Sequence, residues 1–99
     1  MEFLAEFEVE VPAGTPHEEV ERRQRAESAA AAKLAEDGRL IRLWRLSTGD
    51  DGATAIGLYR ADSEAELDGL LAALPLADWL RVKVRPLEAH PNDPAEASR

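Results

Sequence analysis

The chain has 99 residues, 44% of them hydrophobic but only 5% aromatic, and a net charge of −8. That length holds one domain with one core, since a chain this small buries only about two-thirds of its unfolded surface. The acidic balance argues against nucleic-acid and anionic-membrane partners, which need clustered Lys and Arg, and the lack of cysteine excludes disulfides, zinc thiolate sites, iron–sulfur clusters and Cys nucleophiles.

Residues 2–11 alternate, with Phe3, Ala5, Phe7, Val9 and Val11 on one side and Glu2, Leu4, Glu6, Glu8 and Glu10 on the other. Period two predicts a strand with one buried face, ended by Pro12, Ala13 and Gly14. Thr15-Pro16-His17-Glu18 then reads as a helix start: Thr15 as N-cap, Pro16 in the first helical position, Glu18 closing a capping box. The helix runs over about residues 16–37 to Gly38, which suits the left-handed position after a last turn. Residues 39–48 predict a second strand, Gly49-Asp50-Asp51-Gly52 a hairpin loop, and residues 53–60 a third strand. Ser63-Glu64-Ala65-Glu66 is a second capping box. It opens a short helix with Leu67, Leu70, Leu71 and Leu74 on one face, stopped by Pro75. A last strand covers about residues 80–88, where Leu80, Val82 and Val84 alternate with Arg81, Lys83 and Arg85.

The order β-α-β-β-α-β is that of the ferredoxin-like α+β fold: a four-stranded antiparallel sheet with two helices on one face. That fold sets the last strand antiparallel beside the first. The acidic row Glu6, Glu8, Glu10 would then face the basic row Arg81, Lys83, Arg85, at roughly 0.2–1 kcal/mol per cross-strand pair. Residues 1–88 form this domain and residues 89–99 a polar C-terminal tail without periodicity. The sheet's second face must be solvated or meet another subunit. Apolar residues expected there (Leu4, Leu40, Trp44 or their alternates) predict at least a dimer. The acidic N-terminus is unlike a signal peptide, and no apolar run approaches the roughly 20 residues of a membrane span. A cytoplasmic protein is therefore expected.

The long helix carries the most informative residue. Val20, Glu27 and Leu34 are seven apart and share one line of the helix surface, flanked by Arg23, Gln24, Ala30 and Ala31. A carboxylate on the stripe that faces the sheet loses solvation, which raises its pKa toward the range where an acid/base works. The alternative is an edge position in which Glu27 pairs with Arg23, its i,i+4 neighbour. Arg42 and Trp44 share one face of the second strand. Such a pair either orients a small carboxylate ligand or is a solvated arginine beside a core tryptophan. His17 and His90 have no partners at metal-ligand spacing, so no metal site is expected. There is no phosphate-binding glycine loop or dinucleotide fingerprint, and Ser28, Ser47 and Ser63 lack a nucleophile-elbow context.

Taken together, several segments resemble the muconolactone isomerase family. Gly38-Arg39-Leu40-Ile41-Arg42-Leu43-Trp44-Arg45-Leu46 looks like its "G-x-W-x-x-L-W-R-hydrophobic" stretch. Leu74-Pro75-Leu76 is similar to its "L-P-L/F", His90-Pro91 to its "H-P", and the opening strand ends likewise in Val11-Pro12. The resemblance spans about residues 1–93. It implies a ferredoxin-like fold, dimers that build larger rings (commonly decamers), and a cofactor-free double-bond shift that turns muconolactone, a small-molecule substrate, into 3-oxoadipate enol-lactone. It also implies that Glu27, matching a glutamate of the family's long helix, carries the proton. Arg23, Gln24, Arg42 and Trp44 would then bind substrate. The chain departs from the pattern at Gln24, where the family often has lysine, at Leu40, where it has tryptophan, and at the hairpin 48–52, where it carries an aromatic or histidine. These departures leave two other readings open: another cofactor-free enzyme on the scaffold, such as a cyclase, isomerase or oxygenase for a secondary metabolite, or a non-enzymatic oligomeric binding module.

Overall fold

The computed structural model describes residues 1–46 and 54–97. Its elements are β1 (Glu2–Val9), α1 (His17–Glu36), β2 (Leu40–Leu46), β3 (Thr54–Arg60), α2 (Glu64–Ala72), a single 3₁₀ turn (Ala77–Trp79), β4 (Leu80–Leu87) and α3 (Pro94–Ala97). The strands form one antiparallel sheet in the order β2-β3-β1-β4. This is the expected ferredoxin-like arrangement, with the first and last strands adjacent. The expected hairpin loop Gly49–Gly52 lies outside the described residues.

The charge rows meet as the alternation requires. Glu6 stands opposite Lys83 and Glu8 opposite Arg81, while Glu10 pairs with Arg81 at 3.3 Å. With the charges on the outer face, Phe3, Ala5 and Phe7 turn inward. They join Tyr59, Ala61, Leu67, Leu71 and Leu74 in the core between sheet and helices.

The helix ends differ in how far the sequence foretells them. At α2 the Ser63 hydroxyl accepts from the Glu66 amide at 3.1 Å, as a cap should. The Glu66 carboxylate turns instead to Arg39 and to the Asp62 amide, so only half of the expected box forms. At α1 the expectation fails. Thr15 donates its hydroxyl to the Pro12 carbonyl at 2.6 Å, closing the preceding turn, and Pro16 takes the cap position with no side-chain bond. The Pro16 carbonyl starts the helix by accepting from Glu19 and Val20. At the other end Gly38 has φ +76°, and the Arg39 amide reaches back to the Leu34 carbonyl at 2.8 Å. That closure needs a left-handed residue, which glycine supplies without Cβ strain.

Strand β2 departs from strict alternation. Its pairing with β3 jumps from Leu40 opposite Tyr59 to Arg42 opposite Leu58, with an irregularity between them. The extra residue flips the parity of the rest of the strand. Leu40 therefore packs on the core instead of sharing the outer face with Arg42 and Trp44. The segment after β4 is also not featureless: His90 and Asp93 close a turn, and the Asp93 carboxylate accepts from the Ala95 amide at the start of α3. No helix among the described residues is long and apolar enough to cross a membrane.

Candidate active site

The partly buried residues of α1 are Glu19, Val20, Arg23, Glu27, Ala30, Ala31 and Leu34; none is fully buried. They trace the expected stripe, with Glu27 on its middle line. Small residues at positions 30 and 31 bring little volume to the sheet. A cavity of about 220 Å³ remains between α1 and the inner faces of β1, β2, β3 and β4. Its walls are apolar (Phe7, Leu34, Leu43, Leu74, Leu76 and Leu80 among them), and Glu27, Ser28 and Tyr59 are its polar members. Ser28 and Leu43 are exposed, which places the opening where α1 meets the edge strand β2.

Glu27 is held from the opposite wall. Its carboxylate accepts the backbone N–H of Leu76 at 3.0 Å. Pro75 ends the preceding helical run because its ring cannot continue the hydrogen-bond ladder, and the next amide is then free to turn toward α1. Burial pushes the Glu27 pKa above the ordinary carboxylate value, and the Leu76 N–H opposes part of that rise. The result is a carboxyl group that exchanges a proton more readily near neutrality than a surface glutamate.

Arg23 does not pair with Glu27, as the edge-position reading had it. It bonds to Asp78 at 2.8 Å and to the Pro75 carbonyl at 3.5 Å, and its guanidinium lies 4.3 Å from the centroid of the buried Trp79 ring. These contacts fasten the N-terminal half of α1 to the 3₁₀ turn and so set the register at which Glu27 meets Leu76. Gln24 is exposed and lines a shallow surface groove with Glu21, Arg25 and Ser28; it is not among the residues that line the cavity.

Arg42 and Trp44 stack with 5.1 Å between the guanidinium carbon and the ring centroid. They pair with Leu58 and Ile56, whose side chains point away from the helices. Both residues therefore sit on the outer face of the sheet. Within one subunit the sheet separates them from Glu27, and Trp44, at 40% exposure, is not a core residue. Leu43 takes the inward place expected for this segment.

Two site residues escape sequence reasoning: the Leu76 amide and Tyr59. Tyr59 is legible in principle, since it follows Ala55 and Gly57 on the alternating inner face of β3. Among the described residues no group of three His, Asp or Glu side chains is arranged to hold a metal ion.

Comparison with known proteins adds independent information. The family model for muconolactone delta-isomerase matches residues 1–93. Muconolactone Delta-isomerase 1 of Acinetobacter lwoffii is 32% identical over 92 residues, covering 93% of each chain. The crystal structure of a muconolactone isomerase superposes with a TM-score of 0.81 at 24% identity, again over 93% of each chain. A 5-chloro-2-hydroxyhydroquinone dehydrochlorinase from Burkholderia phenoliruptrix shares the fold at a TM-score of 0.62 and 16% identity, covering 94% of this chain and 99% of that one.

Proposed function

Because this chain belongs to the muconolactone delta-isomerase family, we propose that it is a cofactor-free isomerase that moves a carbon–carbon double bond in a small unsaturated lactone, with Glu27 as the proton carrier. The observation that supports this most is Glu27 itself: a carboxylate in an apolar cavity, held by a backbone amide and raised in pKa by burial. Shifting a double bond out of conjugation with a lactone carbonyl requires loss of the proton on the γ carbon and its return to the α carbon. One carboxylate between the two carbons can do both, leaving as it began. The cavity of about 220 Å³ lies below the roughly 300–1,000 Å³ of drug-sized sites, which fits a single small ring.

Muconolactone is the substrate to try first, as a step in aromatic-compound catabolism in the cytoplasm. Incubation with muconolactone, followed by ultraviolet absorbance, tests the reading. Wild-type protein is expected to shift the double bond. Glu27→Gln is expected to fold normally and to lose about 10²–10⁴-fold in turnover, the usual contribution of a positioned acid/base. Wild-type turnover by Glu27→Gln would remove Glu27 from the mechanism. Absence of turnover in the wild type would favour another cofactor-free reaction on this scaffold, the reading that the departures at Gln24, Leu40 and the 48–52 hairpin support.

The active form is proposed to be an oligomer, a dimer or a ring of dimers. The outer face of the sheet carries Leu4, Trp44, Ile56, Leu58 and Leu87, with Trp44 and Leu87 about two-fifths exposed. An exposed apolar patch of this kind, set among charged residues, marks a surface that another subunit can cover. Light scattering that finds a monomer at micromolar concentration contradicts it.

A further inference from the structure

The isomerase mechanism uses one wall of the cavity, and the facing wall carries a group that it leaves idle. Tyr59 lies on the inner face of β3, directly across the cavity from α1. It is 4% exposed, its ring belongs to the cavity lining, and its hydroxyl, which is not sealed off as a buried unpaired atom, has no hydrogen-bond partner among the described residues.

Two features of the sequence hold the ring in this attitude. Gly57, two residues earlier on the same face, has no side chain, and the Tyr59 ring leans back over it. A Cβ at position 57 would come within 2.5 Å of the ring atom Cε1, closer than packed atoms allow, so any larger residue there would force the ring away. On its other side the ring meets Phe7 edge-on, with centroids 6.0 Å apart and planes at 67°. The phenol is thus wedged between a missing side chain and an aromatic edge.

Of the cavity's polar residues, Glu27 and Tyr59 differ in what they can do with a proton. Glu27 can give its proton up and take it back. Tyr59 keeps its proton: burial and the neighbouring Glu27 charge push its pKa up to about 12. A group that stays protonated beside a carboxylate is a permanent donor. The reaction needs one, because when the carboxylate removes the γ proton, the C–H electron pair moves through the conjugated system onto the lactone carbonyl oxygen. An oxyanion then develops in an apolar cavity, where an unassisted charge is costly.

We propose that Tyr59 is a catalytic residue that donates a hydrogen bond to the lactone carbonyl oxygen, holding the ring with its γ and α carbons toward Glu27 and stabilising the dienolate. Tyr59 transfers no proton. The γ proton goes to the Glu27 carboxylate, the electron pair returns from oxygen to the α carbon, and that carbon takes the proton from Glu27. One proton leaves, one arrives, and nothing is oxidised. The proposal rests on the isomerase reading for its substrate, but its geometry concerns any ligand whose oxygen gains charge in this cavity.

Two measurements on the purified protein decide it. The first is steady-state turnover of muconolactone by Tyr59→Phe, which keeps the ring and the Phe7 contact. A fall of about 10²–10³-fold in kcat with a smaller change in KM is expected, the loss seen when one donor to a developing oxyanion is removed. Gly57→Ala, which displaces the ring without touching the hydroxyl, should fall in the same direction. The second needs no turnover: binding of 4-nitrophenolate, a planar oxyanion, read by its absorbance. Glu27→Gln mimics the protonated carboxyl of the intermediate and should bind it more tightly than wild type. Adding Tyr59→Phe to that variant should weaken binding about 10–100-fold, the range for a hydrogen bond to a charged group.

If the wild type isomerises muconolactone and Tyr59→Phe matches it within twofold, Tyr59 is not the donor while Glu27 stands. If the wild type leaves the lactone unchanged but phenolate binding still depends on Tyr59, the donor role stands and the substrate is wrong. If neither turnover nor phenolate binding depends on the hydroxyl, the proposal is overturned.

Discussion

The two helices lie on the same face of one sheet and pack in opposite ways. α2 is short and capped by Ser63, and it buries Leu67 and Leu71 completely or nearly so. α1 is twice as long, starts without a side-chain cap and buries no residue fully. Its sheet-facing stripe runs through Val20, Arg23, Glu27, Ala30, Ala31 and Leu34 where α2 has leucines. The difference teaches where this domain keeps its stability and where it keeps its chemistry. α2 closes the core with Leu67 and Leu71 beside Phe3, Ala5 and Tyr59, and the small side chains of α1 leave a cavity beside Glu27. Arg23, clasped by Asp78 and Trp79, anchors α1 where packing does not.

Removing the anchor of α2 should have the largest effect on stability. Leu67→Ala empties a fully buried site and is expected to cost about 2–5 kcal/mol, enough to move the urea midpoint sharply. A loss under about 1 kcal/mol would mean that α2 is not the stabilising half. Leu34→Ala, the matching truncation on α1, removes a half-buried side chain beside an existing cavity, and about 1–2 kcal/mol is expected by the same denaturation. Equal costs for the two would erase the distinction between the helices.

Capping repeats the contrast on a smaller scale. Ser63→Ala leaves the Glu66 amide without its acceptor and should lower stability by about 1 kcal/mol, read as a drop in Tm. Thr15→Ala should cost less, because the Thr15 hydroxyl serves the preceding turn and not α1.

The smallest effect has the opposite sign. The folded protein raises the pKa of Glu27, so it holds that proton to higher pH than the unfolded chain does. Wild-type stability therefore falls as pH rises from the ordinary carboxylate value, near 4.3 for an unfolded glutamate, through the raised value. Glu27→Gln removes this dependence and keeps an oxygen for the Leu76 amide. The variant is expected to be slightly more stable than wild type near neutrality, with the difference fading in acid. Thermal melts of both proteins across that window check the sign. The acid limb of the turnover profile should lie above the ordinary carboxylate range for the same reason, since the base must be ionised to act.

Local pattern and topology are legible in the sequence because their causes are local. Alternation in residues 2–11, the Ser63 cap, Gly38 after the long helix and the complementary charges of the first and last strands each act over a few residues or one strand pair. Glu27 is legible as well, since the helical period alone places it with Val20 and Leu34. Leu40 is misplaced by its spacing because one irregularity at the start of β2 sets it on the opposite face from Arg42 and Trp44, and no period reports such a step. Thr15 misleads because its hydroxyl has two acceptable uses, and the turn at Pro12 claims it.

By itself the sequence determined the order of elements, the charge pairing across β1 and β4, and the stripe that aims Glu27 at the sheet. All three depend on residue type and spacing alone. Only the tertiary structure decided that Arg23 serves Asp78 and Trp79, that the Leu76 amide holds Glu27, and that Tyr59 leans over Gly57 into the same cavity. The physical reason is distance along the chain. Glu27 and Leu76 are 49 residues apart, and their meeting depends on how α1 crosses the sheet.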